Sequence, residues 1–177
     1  MSKRLRATLV TLALAALGLI ISGCTGNSQP TGAVTGQPAP DFELQNLDGA
    51  LISLNELDSP VFLNFWNTGC PPCVEEMPLL QQAYEDNQAN GLLIATVNVG
   101  ESAATVRGFV EDVKNQTGVT LDLPILLDRD ISVARDYGIQ FFPTTFLIDQ
   151  DGIIKEKIIG AFPDLAAIEA RLAKIRP

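Results

Sequence analysis

Not one of the 177 residues is histidine. That excludes Ser-His-Asp and Cys-His catalysis and removes the commonest side-chain ligand for a transition metal. Basic residues are also few, 12 Lys and Arg against 21 Asp and Glu. A nucleic acid is therefore not an expected partner, because phosphate binding needs concentrated positive charge. Cysteine is limited to Cys24, Cys70 and Cys73. Thiols and carboxylates are what remain for chemistry.

A chain of this length can bury most of its apolar surface in one core, so one domain with short appendages is expected. Hydrophobic residues at 46% and charged residues at 19% argue against disorder.

The chain opens with Lys3, Arg4 and Arg6, followed by an uncharged and mostly apolar run from Ala7 to Ser22. This is the layout of an export signal rather than of a folded helix, and the run is short for a membrane span. It ends Leu19-Ile20-Ile21-Ser22-Gly23-Cys24. Small residues just before a cysteine resemble the lipobox of bacterial lipoproteins, which implies cleavage before Cys24 and a lipid on that cysteine. Residues 1–23 are thus expected to be a signal peptide, and the rest to leave the cytoplasm and stay lipid-anchored at the membrane. Without them 9 basic residues face 21 acidic ones, net −12, so the lipid rather than surface charge would hold the protein there.

Residues 24–35 are expected to form the anchored tether. From Thr25 to Pro38 there is no charged or aromatic residue, and the stretch is rich in Gly, Pro, Thr, Ser and Gln. A flexible segment of that length spans ~20 Å between its ends. The domain is placed at 36–177.

Within it, Asp41–Leu44 and Leu51–Leu54 flank Asp48-Gly49, a hairpin signal. Val61–Trp66 reads as a buried strand. Further strands are expected at Leu92–Val99, Leu123–Leu127, Thr144–Asp149 and Ile153–Gly160, and helices at Pro71–Ala89, Ala103–Gln116, Ile131–Tyr137 and Asp164–Lys174. Alternating strands and helices imply an α/β fold with a central mixed sheet flanked by helices and an N-terminal β-hairpin.

With Cys24 assigned to lipid, Cys70 and Cys73 remain as a pair. A strand, then Asn67-Thr68-Gly69, delivers Cys70 to the mouth of a helix, where unpaired N–H groups and the helix dipole stabilise a thiolate. Cys73, one turn on, can close a disulfide with it. Cys70 is expected to attack and Cys73 to resolve the mixed disulfide. Pro71 and Pro72 suit the first helical turn but bring no N–H to the thiolate, so moderate activation is expected. A fixed structural disulfide is disfavoured because so short a loop contributes little to stability. Two cysteines without histidine are too few for a zinc site.

Several segments together resemble the thioredoxin-like redoxins, most closely the membrane-anchored ResA/TlpA type associated with cytochrome c maturation. They are Gly36-Gln37-Pro38-Ala39-Pro40-Asp41-Phe42, Phe62-Leu63-Asn64-Phe65-Trp66 before the cysteines, Glu75-Glu76-Met77-Pro78, Val97-Asn98-Val99-Gly100-Glu101-Ser102, and Phe142-Pro143-Thr144-Thr145-Phe146-Leu147-Ile148-Asp149. The resemblance implies a thioredoxin-like fold, no cofactor beyond the redox-active cysteine pair, and a monomer. It makes Pro143 a cis-proline that faces the cysteines, with Phe142 offering backbone hydrogen bonds to a bound chain. It sets Glu76 near the active site, where a buried carboxylate would raise a thiol pKa and relay a proton. Trp66 is expected beside the cysteines, in the core or facing substrate, and Pro71 and Pro72 beside the client. Pro78, inside the first helix, is expected to remove a hydrogen bond and kink it.

The activity implied is reduction of disulfides in client proteins such as apocytochrome c, with a membrane thiol carrier as reductant. A thiol peroxidase shares the Ala-Pro-Asp-Phe opening, but Asn67 stands where its threonine would be. Copper-delivery proteins of this fold use two cysteines with three residues between them and a histidine, and neither is here. A general protein-folding oxidant shares the motif, because the motif does not encode direction.

Overall fold

The computed structural model describes residues 33–176. Seven strands run in chain order: β1 (Glu43–Asn46), β2 (Leu51–Ser53), β3 (Val61–Trp66), β4 (Leu93–Val99), β5 (Ile125–Asp128), β6 (Thr144–Ile148) and β7 (Ile154–Ile159). Among the described residues four α-helices accompany them: α1 (Pro71–Asn87), α2 (Ala103–Thr117), α3 (Ser132–Asp136) and α4 (Leu165–Leu172). The sheet order is β2-β1-β5-β4-β3-β6-β7. The β3, β4 and β5 strands are parallel, whereas the β1–β2 and β6–β7 hairpins join antiparallel at the two edges.

The central strand β3 is buried along its whole length, which explains why its sequence reads as a continuous apolar run rather than an alternation. Alternate residues still divide between two cores. Phe62 and Trp66 pack with Met77, Leu80 and Ala83 of α1, Val106 and Val113 of α2, and Ile168 and Leu172 of α4. Leu63 and Phe65 pack on the other face with Phe42, Val133, Tyr137 and Phe146.

The packed region begins earlier than Gly36. Ala33 is buried in the second core, and the Gly36 N–H donates to the Ile154 carbonyl at 2.7 Å. The last residues expected in the tether are therefore part of the domain, because an apolar side chain there finds a core to enter. The signal segment, Cys24 and most of the tether lie outside the described residues. No helix among the described residues is long and apolar enough to cross a membrane.

One connection carries strain. Ile131, just before α3, adopts φ 64, a left-handed conformation unfavourable for a β-branched residue. The buried Asp128 carboxylate holds this turn by accepting the Val133 and Ala134 N–H groups at 3.3 and 2.7 Å.

Candidate active site

Strand β3 ends at Trp66, and a three-residue loop leads to Cys70, the N-cap of α1. Cys70 has extended backbone angles, and its sulfur accepts the Cys73 N–H at 3.3 Å. Pro71 and Pro72 fill the first two helical positions, so Cys73 supplies the first N–H that the helix can aim at Cys70. The two cysteines form a disulfide with a Cα–Cα distance of 5.3 Å. Cys73 is fully buried and Cys70 only partly so. An external reactant therefore reaches Cys70 first. Pro71 and Pro72, which follow Cys70 directly, are exposed.

Glu76 lies one turn beyond Cys73, on the same buried face of α1, at 1% exposure. Its Oε1 accepts from Asn64 Nδ2 at 2.9 Å and its Oε2 from the Phe162 N–H at 3.1 Å. Burial pushes the carboxyl up to about 7, and the two donors, Phe162 first, offset part of that rise. The group can therefore gain or lose a proton near neutrality, one turn from the buried cysteine.

The loop before Cys70 is tied down by a second carboxylate. Glu101, after β4, accepts the Thr68 N–H at 2.9 Å and the Thr68 hydroxyl at 2.6 Å, and Asn98 Nδ2 donates to it at 2.6 Å. Parallel pairing of β3 with β4 brings these segments together.

The Phe142–Pro143 peptide bond is cis. Because Phe65 pairs with Thr144 across β3 and β6, Pro143 stands at the same end of these central strands as the loop to Cys70. Phe142 is half-buried and packs against the same apolar cluster as Cys70. Trp66 requires correction as a substrate-facing residue. It is fully buried, with its ring 4.9 Å from that of Phe109, because α2 covers the end of β3. Pro78 falls inside α1, which continues from Pro71 to Asn87 without interruption.

Sequence reasoning assigns no role to Asn64, Glu101 or Phe162. Asn64 carried a usable signal, a lone polar residue within an apolar strand run. Phe162 carried none, because it acts through its backbone.

Residues 35–157 match the AhpC/TSA family. The ResA thiol-disulfide oxidoreductase of Geobacillus thermodenitrificans is 38% identical over 174 residues, 98% of this chain and 95% of that protein. The chain belongs to the AhpC/TSA family. Within it, this is a thiol-disulfide oxidoreductase of the ResA type, and Cys70–Cys73 is its disulfide of Cys-x-x-Cys spacing. The fold is correspondingly thioredoxin-like. The thioredoxin domain of a Bacteroides vulgatus thiol-disulfide oxidoreductase superposes with TM-score 0.65 at 26% identity, covering 78% of this chain and 98% of that one. StoA of Bacillus subtilis superposes with TM-score 0.63 at 27% identity, covering 77% and 97%.

Proposed function

We propose that this oxidoreductase works outside the cytoplasm, held to the membrane by lipid on Cys24, and reduces disulfides of client proteins such as apocytochrome c. In the reduced enzyme the Cys70 thiolate attacks a client sulfur, and the client disulfide opens into a mixed disulfide. Cys73 then passes its thiol proton to the Glu76 carboxylate and attacks the Cys70 sulfur. The Cys70–Cys73 disulfide closes, the client leaves with both sulfurs reduced, and two electrons have moved from enzyme to client. A membrane thiol carrier restores the dithiol.

The observation that carries this reading is the placement of Glu76, buried behind Cys73 with its carboxyl near 7. A resolving thiol that no solvent reaches needs a proton acceptor inside the protein, and Glu76 is one turn away. Pro143 and Phe142 at the same end of the central strands support a client strand lying across Cys70, with Pro71 and Pro72 as its apolar border.

The deciding experiment combines the reduction potential of the pair with capture by a Cys73→Ser variant. The expected result is a potential more negative than roughly −250 mV and apocytochrome c held as a mixed disulfide. A potential near about −120 mV with many captured proteins would instead assign a folding oxidant.

A further inference from the structure

The carboxylate of Glu76 shares its main side-chain partner with a hydroxyl. Asn64 Nδ2 donates one hydrogen to Glu76 Oε1 at 2.9 Å and the other to Thr145 Oγ1 at 3.0 Å. Asn64 and Thr145 are register partners on β3 and β6, both fully buried. The other end of the same amide, Asn64 Oδ1, is buried with no hydrogen-bond partner. An unpaired buried acceptor is costly and calls for a reason.

The arrangement suits an ionised Glu76, which can only accept. Once Glu76 is protonated it carries a buried O–H that needs an acceptor, and Asn64 Nδ2 cannot serve. Asn64 Oδ1 can. Turning the amide over by half a rotation about its terminal torsion exchanges Oδ1 and Nδ2 in nearly the same volume. Oδ1 then faces both former acceptors, and each has a proton to give: Glu76 through its carboxyl O–H and Thr145 by rotating its hydroxyl. The Phe162 N–H stays on the other carboxyl oxygen in both states.

We propose that Asn64 is a positioning residue that inverts its side-chain amide with the protonation of Glu76, donating to the carboxylate and accepting from the acid. Two bonds are made at that end of the amide in each state, so Glu76 is paired in both, and the unpaired end of the amide passes from Oδ1 to Nδ2 when it inverts. Asn64 thereby lets the buried carboxyl take up and release a proton without admitting water. No charged side chain contributes to the titration of Glu76; around it are the Asn64 amide, the Phe162 backbone and, on its own helix, Cys73. This inference rests on Glu76 exchanging a proton during turnover, as argued above.

The test uses the oxidised protein, labelled for side-chain amide NMR, across the pH range around neutrality. Above the Glu76 midpoint, the Asn64 Nδ2 protons should show cross-peaks to the Glu76 side chain and the Thr145 methyl. Below it these cross-peaks should disappear, with the same midpoint as the Glu76 carboxyl carbon, and in Glu76→Gln the pH dependence should vanish. In parallel, Asn64→Leu should raise the pH midpoint of disulfide exchange by up to about one unit, roughly tenfold in the ionisation constant, because the bond lost from the charged carboxylate is stronger than the one lost from the acid. Cross-peaks that persist unchanged through the Glu76 titration would overturn the inversion. Should Glu76→Gln leave the exchange pH profile unaltered, the proton-relay reading fails instead, whichever way the amide behaves.

Discussion

The Phe162 N–H donates to Glu76 Oε2 at 3.1 Å across 86 residues of sequence. The bond joins the first helix to the segment leading into the last one, and it holds one side of a carboxylate whose other side is held from the central strand. A titratable group fixed from three elements has its proton affinity set by the fold as a whole.

Glu76 should make the protein less stable as pH rises. Its carboxyl ordinarily titrates near 4.5 and in the folded protein near 7, so between these values the folded state binds more protons than the unfolded. Stability contributed by this group is complete below about 4.5 and lost as pH rises through about 7, a fall of about 3 kcal/mol. Denaturant unfolding of the oxidised protein at pH 4.5, 6 and 8 should show that decline. Glu76→Gln should flatten it, because a neutral amide does not titrate.

Pro72→Ala should activate Cys70. Alanine restores an N–H at the second helical position, one of the donors an N-cap side chain ordinarily receives, and Cys70 is that N-cap. With a second donor beside the thiolate, the pH midpoint for Cys70 alkylation should drop by about one unit and the reduction potential should rise. An unchanged midpoint would mean that the restored N–H does not reach the sulfur.

Glu101→Ala should loosen the loop that presents Cys70. It removes the acceptor of the Thr68 N–H and hydroxyl and of Asn98 Nδ2, for a loss of about 2 kcal/mol. Hydrogen exchange at the Thr68 amide should accelerate well beyond that at the β3 amides, and thiol exchange should slow while the disulfide still forms.

Ile131→Asn should stabilise the protein. Asparagine tolerates the left-handed conformation at φ 64 that isoleucine is forced to adopt. Ile131 is 47% exposed, so little burial is lost. A gain of about 1 kcal/mol, or about 2–4 °C in Tm, is expected by calorimetry.

Much of this protein is written locally. The β3 run, the Asp48-Gly49 turn and the prolines after Cys70 each act within a few residues, and the strands and helices lie within a few residues of where periodicity places them. The cysteine spacing alone defines the reaction class, because three residues on a helix bring two sulfurs within bonding reach. The domain start was harder to read, since Ala33 is held by contacts with distant residues rather than by its own neighbours. The proton affinity of Glu76 was not legible, because Glu75 and Glu76 are the same residue type side by side and only the packing of α1 exposes one and buries the other. The buried-strand pattern covered Trp66, but its packing against Phe109 was not legible. By itself the sequence determined the chemistry of the thiols and the order of the elements. The tertiary structure alone decided which donors hold the Glu76 carboxylate and how far burial raises its proton affinity, because burial and long-range hydrogen bonds come into being only when distant segments pack.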